Sequence, residues 1–497
     1  MDWLMLADSM GELKDQDYPA RTFELRTLAT VRDGTLYDHL PYPFSTEATF
    51  GGEYVPLEQR RPVARAGTNL ARTVVDDAIS LLFSEGHWPA FQGSPAGDGT
   101  KDTTTKDTLA AWSKEIKLND LMISAATRGS IGSVALLFRV LEGRPFVDIY
   151  DTWFLTPAWK PSAPDTLQSV TERYKVPADD LIAQGYNVDP TQGDHWFMRV
   201  WDAQAETWHL PQTKTDAAEG KPPIVDTART VRHRLGFVPM IWVRNLPGLP
   251  GVDGACTFKR SINDCIEVDY LLSQAGRAHR YASDPKLVIR GDNGDTSQIK
   301  GGAAQALIVP VDGDAKMLEI NGTAAEAVIA HCQELRQLAL ESMHGNRANA
   351  DKMSAAQSGR AMELMNQGLI WLADRLRISY GEGALLSLGK MLCAASKVVT
   401  LKIDSKSVNN LSDEGLGLNW PAWHPPTYDD MQKLATGLVT AITGGVISEE
   451  TATKTMAATL DIEDIEAERA LIEAERGKAD ERAAAQAKAA AAAKPQP

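Results

Sequence analysis

An α+β fold is predicted by three observations. Apolar residues recur at steps of three and four in several long segments, and they alternate or run together in short segments between Val134 and Leu210. The two kinds of segment are grouped along the chain, which suits an antiparallel β region packed on helices.

The longest helical pattern follows a small polar loop. One helix arrives at Met343, the chain turns at Gly345, and a second helix restarts after Ser354, whose spacing to Gln357 is that of a capping box. Met365, Leu369, Leu372, Leu376 and Tyr380 then share one face, and the stripe continues through Leu385, Leu388 and Leu392. Unbroken from the restart after Ser354, that helix would have about 35 to 40 residues and be ~55 Å long, enough to act as a spine.

In chain order, the first sixty residues mix helical and turn-rich pieces. A helix is predicted from Thr68 through Leu70, Val74, Ala78, Leu81 and Leu82, with Gly86 as its stop. Gln92–Lys106 is polar and reads as a loop; helices follow around Leu109, Trp112 and Ile116 and from Asn119. Strands are expected at Val134–Val140, Pro145–Tyr150, Ser169–Val176, His195–Trp201 and Thr207–Leu210. Leu235–Asn245 reads as a loop entering a strand, and Pro247, Gly248, Pro250 and Gly251 mark a boundary.

Gly254–Ser283 has a helical stripe, ended by Asp284-Pro285. Strands at Lys286–Arg290, Gln305–Pro310 and Lys316–Ile320 form a small β module, and Thr323 with Glu326 caps a return helix reaching Met343. Beyond the spine come a strand at Lys397–Ile403, a proline-stiffened link at Asn419–Thr427, and a helical hairpin of Asp430–Ile442 and Ser448–Leu460. The tail from Asp461 turns nearly pure Ala/Lys and is expected to fray.

Composition narrows the function. The chain has 497 residues, 43% of them hydrophobic, and no apolar run of the ~18 residues a membrane span needs; it reads as soluble and unexported. Its net charge of -15 repels nucleic acid, so any DNA contact is local or transient. Cys256, Cys265, Cys332 and Cys393 form no C-x-x-C pair and read as reduced core residues.

No phosphate loop, H-E-x-x-H or zinc-type Cys/His cluster is found, so no cofactor, metal ligand or catalytic residue is assigned. Ser130 in Gly129-Ser-Ile-Gly132 has Arg128 where a nucleophile elbow needs glycine, and Asp76 and Asp77 point about 100° apart on a helix. Trp196, Trp201 and Trp208 could stack bases, but packing fits their strand positions better.

The order helix, polar loop ending in Ser358-Gly359, long helix resembles the portal proteins of tailed double-stranded-DNA bacteriophages. Leu235–Asn245 is similar to their Gly-x-x-Pro strand segment. The Trp/Pro link followed by a helix and Gly444-Gly-Val-Ile-Ser-Glu-Glu-Thr451 is similar to their crown. The resemblance implies an N-terminal wing over 1–253, stem helices at 254–283 and 323–345 and a clip at 284–322. It further implies a channel loop, spine and second wing part at 346–426 and a crown at 427–476, leaving a flexible tail at 477–497.

It also implies a non-enzymatic ring, a dodecamer, at one capsid vertex of the virion, assembled in the host cytoplasm. Its partners would be the terminase large subunit, the head-completion adaptor, the major capsid and scaffolding proteins, and double-stranded DNA packaged and ejected through the channel. Asn346, Arg347, Asn349, Asp351 and Lys352 would face that DNA. The rivals are a non-pore scaffold or adaptor and a hydrolase using Ser130 or an acidic pair.

Overall fold

The computed structural model describes residues 17–38, 67–93, 103–248, 251–283, 286–290, 314–318, 323–345, 366–423, 428–459, 465–475 and 477–478. The chain forms two compact units, Met1–Asn346 with Gly368–Pro421, and Arg347–Gln367 with Ala422–Pro497. Helix and sheet are mixed, and among the described residues every strand pairing is antiparallel.

The first unit opens with α1 (Ala20–Asp33) and α2 (Leu70–Phe83), then β1 (Ala90–Gln92), α3 (Thr103–Glu115) and α4 (Leu118–Gly129). The Asn69 side chain caps α2 by accepting from the Arg72 N–H. α2 ends at Ser84, before the glycine expected to stop it, and α3 already covers Thr103–Lys106, which sequence reasoning assigned to a loop.

β10 (Met240–Arg244), β2 (Ser133–Leu141) and β3 (Arg144–Asp151) form one sheet in that order. β4 (Leu155–Lys160), β5 (Ala163–Val176), β6 (His195–Trp201), β7 (Ala205–Trp208) and β9 (Val231–Arg232) form the other, with β8 (Gln212–Thr213) also on β6. A short helix, α5 (Ala178–Ala183), joins β5 to β6.

The continuous apolar run in β2 has a structural reason. Val134, Leu136 and Phe138 face the main helical core, while Ala135 and Leu137 pack with Trp201, Val170 and Leu155 of the larger sheet. A strand covered on both faces needs apolar residues at every position. Ile241 and Val243 against Met240 and Trp242 divide β10 in the same way. Trp201 is fully buried and Trp196 nearly so, so packing accounts for both.

α6 (Lys214–Ala218) follows β8. α7 (Ile262–Ser283) then packs on α8 (Thr323–Ser342), and between them in sequence β11 (Lys286–Arg290) pairs with β12 (Asp314–Leu318). The strand expected at Gln305–Pro310 lies outside the described residues. α7 starts eight residues later than its apolar stripe suggests, because non-local carbonyls claim the preceding N–H groups: Gly254 donates to Gly132, Ala255 to Leu246 and Thr257 to Ser130, at 2.7–2.9 Å. Cys265 and Cys332 are buried, and burial pushes the Cys265 thiol up to about 12.

The spine runs from Gln367 to Ser396 in three pieces, α9 (Gln367–Leu376), a π-helical segment (Arg377–Leu386) and α10 (Ser387–Ser396). Leu372, Leu376, Tyr380, Leu385, Leu388 and Leu392 are all buried. The expected unbroken α-helix is thus corrected: the step of five from Tyr380 to Leu385 stays on one face only where the turn widens to i→i+5 bonding. The strand expected at Lys397–Ile403 shortens to β13 (Leu401–Ile403), since the N–H groups of 397–399 still bond to the end of α10. β13 pairs with β14 (Lys406–Val408), and β15 (Gly417–Asn419) pairs with β1.

The second unit contains α11 (Tyr428–Thr443) and α12 (Glu449–Thr459), close to the predicted hairpin, and residues 465–475 are helical. Among the described residues no helix is long and apolar enough to cross a membrane.

Candidate functional site

Asn346, Arg347, Asn349, Asp351 and Lys352 lie outside the described residues, while the end of α8 before them and the spine after them are described. α8 ends in a Schellman-type turn: Gly345 N–H donates to the Leu340 carbonyl at 2.8 Å and His344 N–H to that of Glu341 at 3.1 Å, with His344 at φ 59°. On the return side, a Cβ added to Gly368 would sit 3.7 Å from the His344 carbonyl oxygen. The start of the spine therefore lies beside the end of α8.

That place is crowded and basic. Gly345 is buried, and a side chain there would collide with Val74 Cγ2 in the middle of α2. Gly345→Ala is expected to cost about 1–3 kcal/mol in urea unfolding, since Val74 is fully buried and has no room to move. His344 is held below its ordinary pKa by burial first, then by Arg375 and Arg260.

The spine is tied to the β10 end of its sheet through Asn245, which follows β10 and is 1% exposed. Its Nδ2 donates to the carbonyls of Ala255 (2.8 Å) and Ser130 (3.3 Å) and to Thr257 Oγ1 (2.9 Å). Tyr380 OH donates to its Oδ1 at 3.1 Å, and Ser379 Oγ to its carbonyl at 2.6 Å. Both partners come from the π segment. Gly129 has no Cβ because one would overlap the Tyr380 hydroxyl.

Two further junctions complete the frame. Arg21 grips Asp253 with both oxygens engaged (2.5 and 2.7 Å) and donates to the carbonyls of Thr152 and Leu155. On α7, Asp269 accepts from Thr68 N–H (2.9 Å), Thr68 Oγ1 (2.7 Å) and Tyr37 OH (2.7 Å). Burial raises the Asp269 pKa in spite of these three donors. Sequence reasoning missed Asn245, Asp253 and Asp269 as hubs; the one signal was a polar residue closing an apolar strand, at Asn245.

Ser130 is placed as a cap. Its hydroxyl donates to the Thr127 carbonyl at 2.8 Å, it is 3% exposed, and its own carbonyl accepts from Thr257 and Asn245. Asp76 is paired with Arg72 one helical turn away at 2.8 Å. No family model matches this chain, and no curated protein is a significant match to it.

Proposed function

We propose that this chain is a ring-forming conduit subunit of the portal kind, through which double-stranded DNA passes at a capsid vertex. The observation that carries this reading is the pairing of α7 with α8, with the antiparallel pair β11–β12 between them in sequence and the spine after them. The hydrogen bonds around Asn245 stiffen the body from which the spine and α7 extend. The net charge of -15 suits a channel in which phosphates must slide. In this reading α7 and α8 are the stem, β11 and β12 belong to the clip, and Arg347 and Lys352 touch DNA briefly while Asp351 prevents strong holding. Neighbours meet through heterologous contacts that close into a dodecamer, which docks terminase and then the adaptor.

The mass and symmetry of the purified particle test it. Rings with a central hole in negative-stain images and a mass of many subunits are expected. A protein that stays monomeric, even beside its capsid partners, overturns the reading.

A further inference from the structure

The spine buries one side and leaves another bare. Gly368, Trp371, Arg375 and Ile378 follow at steps of three, four and three, which places them on one face. Trp371 is 54% exposed and Ile378 63%, whereas Leu372 and Leu376 on the buried face are 2% and 3% exposed. Bulky apolar side chains bare on one helix face, with a tryptophan among them, mark a contact surface. At Ile378 the face opens onto a cavity of about 320 Å³, lined also by Arg244, Pro247, Asp253, Arg375 and Ser379.

The cations at this face are uncompensated. The Asp253 carboxylate is taken by Arg21 and Ser133, and Ser379 Oγ donates to the Asn245 carbonyl. Arg375 and Arg244 are exposed, and among the described residues their side chains make no ion pair or hydrogen bond; Arg244 lies over the Trp159 ring, 5.4 Å from its centroid. Asp374, next to Arg375, points about 100° away on the helix and acts on Arg377. A chain with 66 acidic against 51 basic residues has carboxylates to spare, and it pairs surface arginines such as Arg72 and Arg144 with them at 2.8 Å. Two unpaired guanidiniums beside bare apolar groups suit a surface that brings both apolar contact and carboxylates.

We propose that this face docks a second copy of the chain, whose apolar side chains cover Trp371 and Ile378 and whose carboxylates accept from Arg375 and Arg244. The identity of the occupant rests on the ring reading, and charge gives the contact a direction. Two copies meeting through this same face would set arginine against arginine, so the neighbour presents a different, acidic surface. Such a heterologous contact passes from copy to copy and can close a ring. The surplus of acidic residues in the chain supplies that surface. Assembly of the full chain, followed by mass photometry and sedimentation, tests it. Arg244→Glu with Arg375→Glu, and Trp371→Ala with Ile378→Ser, should each raise the protein concentration for half assembly at least about tenfold, and added salt should weaken assembly of the parent. All four side chains are exposed, so unfolding midpoints of the variants should stay level, which separates lost contact from lost folding. A benzoylphenylalanine photocrosslinker in place of Trp371 should join to an acidic surface elsewhere on the neighbour. Unchanged half-assembly concentrations in both double variants overturn this face as the contact and leave the ring reading standing. Crosslinking to the same face of the neighbour overturns the heterologous contact, and a parent chain that stays monomeric at about 100 micromolar overturns the proposal outright.

Discussion

Asn245→Ala is expected to destabilise the first unit by about 4 kcal/mol in urea unfolding, with an unchanged denaturant slope. The side chain donates to two carbonyls and a hydroxyl and accepts from Tyr380. Alanine removes all of these together and strands the Tyr380 hydroxyl, which is completely buried. Each buried polar group left without a partner costs about 1–3 kcal/mol, and relaxation of the cavity recovers part of the sum. The effect should spread locally: amide exchange across the π segment, 377–386, should quicken more than exchange in α3, because Ser379 and Tyr380 hold that segment to β10. A loss below about 1 kcal/mol would mean that the π segment is held by apolar packing alone.

Arg199→Ala should cost a similar amount, about 3–5 kcal/mol at neutral pH, because it strands the buried Glu172 carboxylate. Arg199 reaches Glu172 at 2.7 and 3.0 Å and Glu206 at 3.1 Å, and its guanidinium lies over the rings of Trp201 (4.4 Å) and Trp208 (4.8 Å). Burial works against the Arg199 charge, and Glu172, Tyr150 and Glu206 together outweigh it. Burial also lifts Glu172 above the ordinary carboxyl range, with Arg199 offsetting only part of that rise. A carboxyl whose pKa is raised on folding favours the folded state while protonated and loses that advantage as pH climbs through the raised value. The Arg199→Ala protein should therefore be least impaired in mild acid and lose stability as pH rises from the ordinary carboxyl range toward neutrality. Unfolding midpoints measured across that window check the sign; a flat difference from the parent would show that the lost ring contacts, rather than the stranded charge, set the cost.

The hubs and the elements differ in how far they can be read from residues alone. β6 and β11 begin and end where their patterns place them, since alternation and flanking turn residues are local properties. Asn245 has the opposite character. A lone asparagine at a strand end commonly faces water, and its role depends on Ser130, Ala255, Thr257 and Tyr380 converging from distant parts of the chain. The same holds for Arg199 and Glu172, which read as polar residues on alternating strands until β5 and β6 pair in register. The π segment lies between these cases. Its five-residue step is written in the stripe, yet only the hydrogen bonds to Asn245 give Ser379 and Tyr380 a common target. The five loop residues nominated for DNA contact lie outside the described residues, and the structure adds only that Gly368, at the start of the spine, lies close to His344 at the end of α8.

The sequence by itself determined the α+β class, the order of most of the longer helices and strands, and the continuous apolar run of β2, because periodicity and turn chemistry act over a few residues. Only the tertiary structure decided where α7 begins, how the spine widens, and which buried polar groups hold the frame. Those outcomes depend on which distant carbonyl or side chain satisfies a buried donor, and that pairing exists only once the chain has closed on itself.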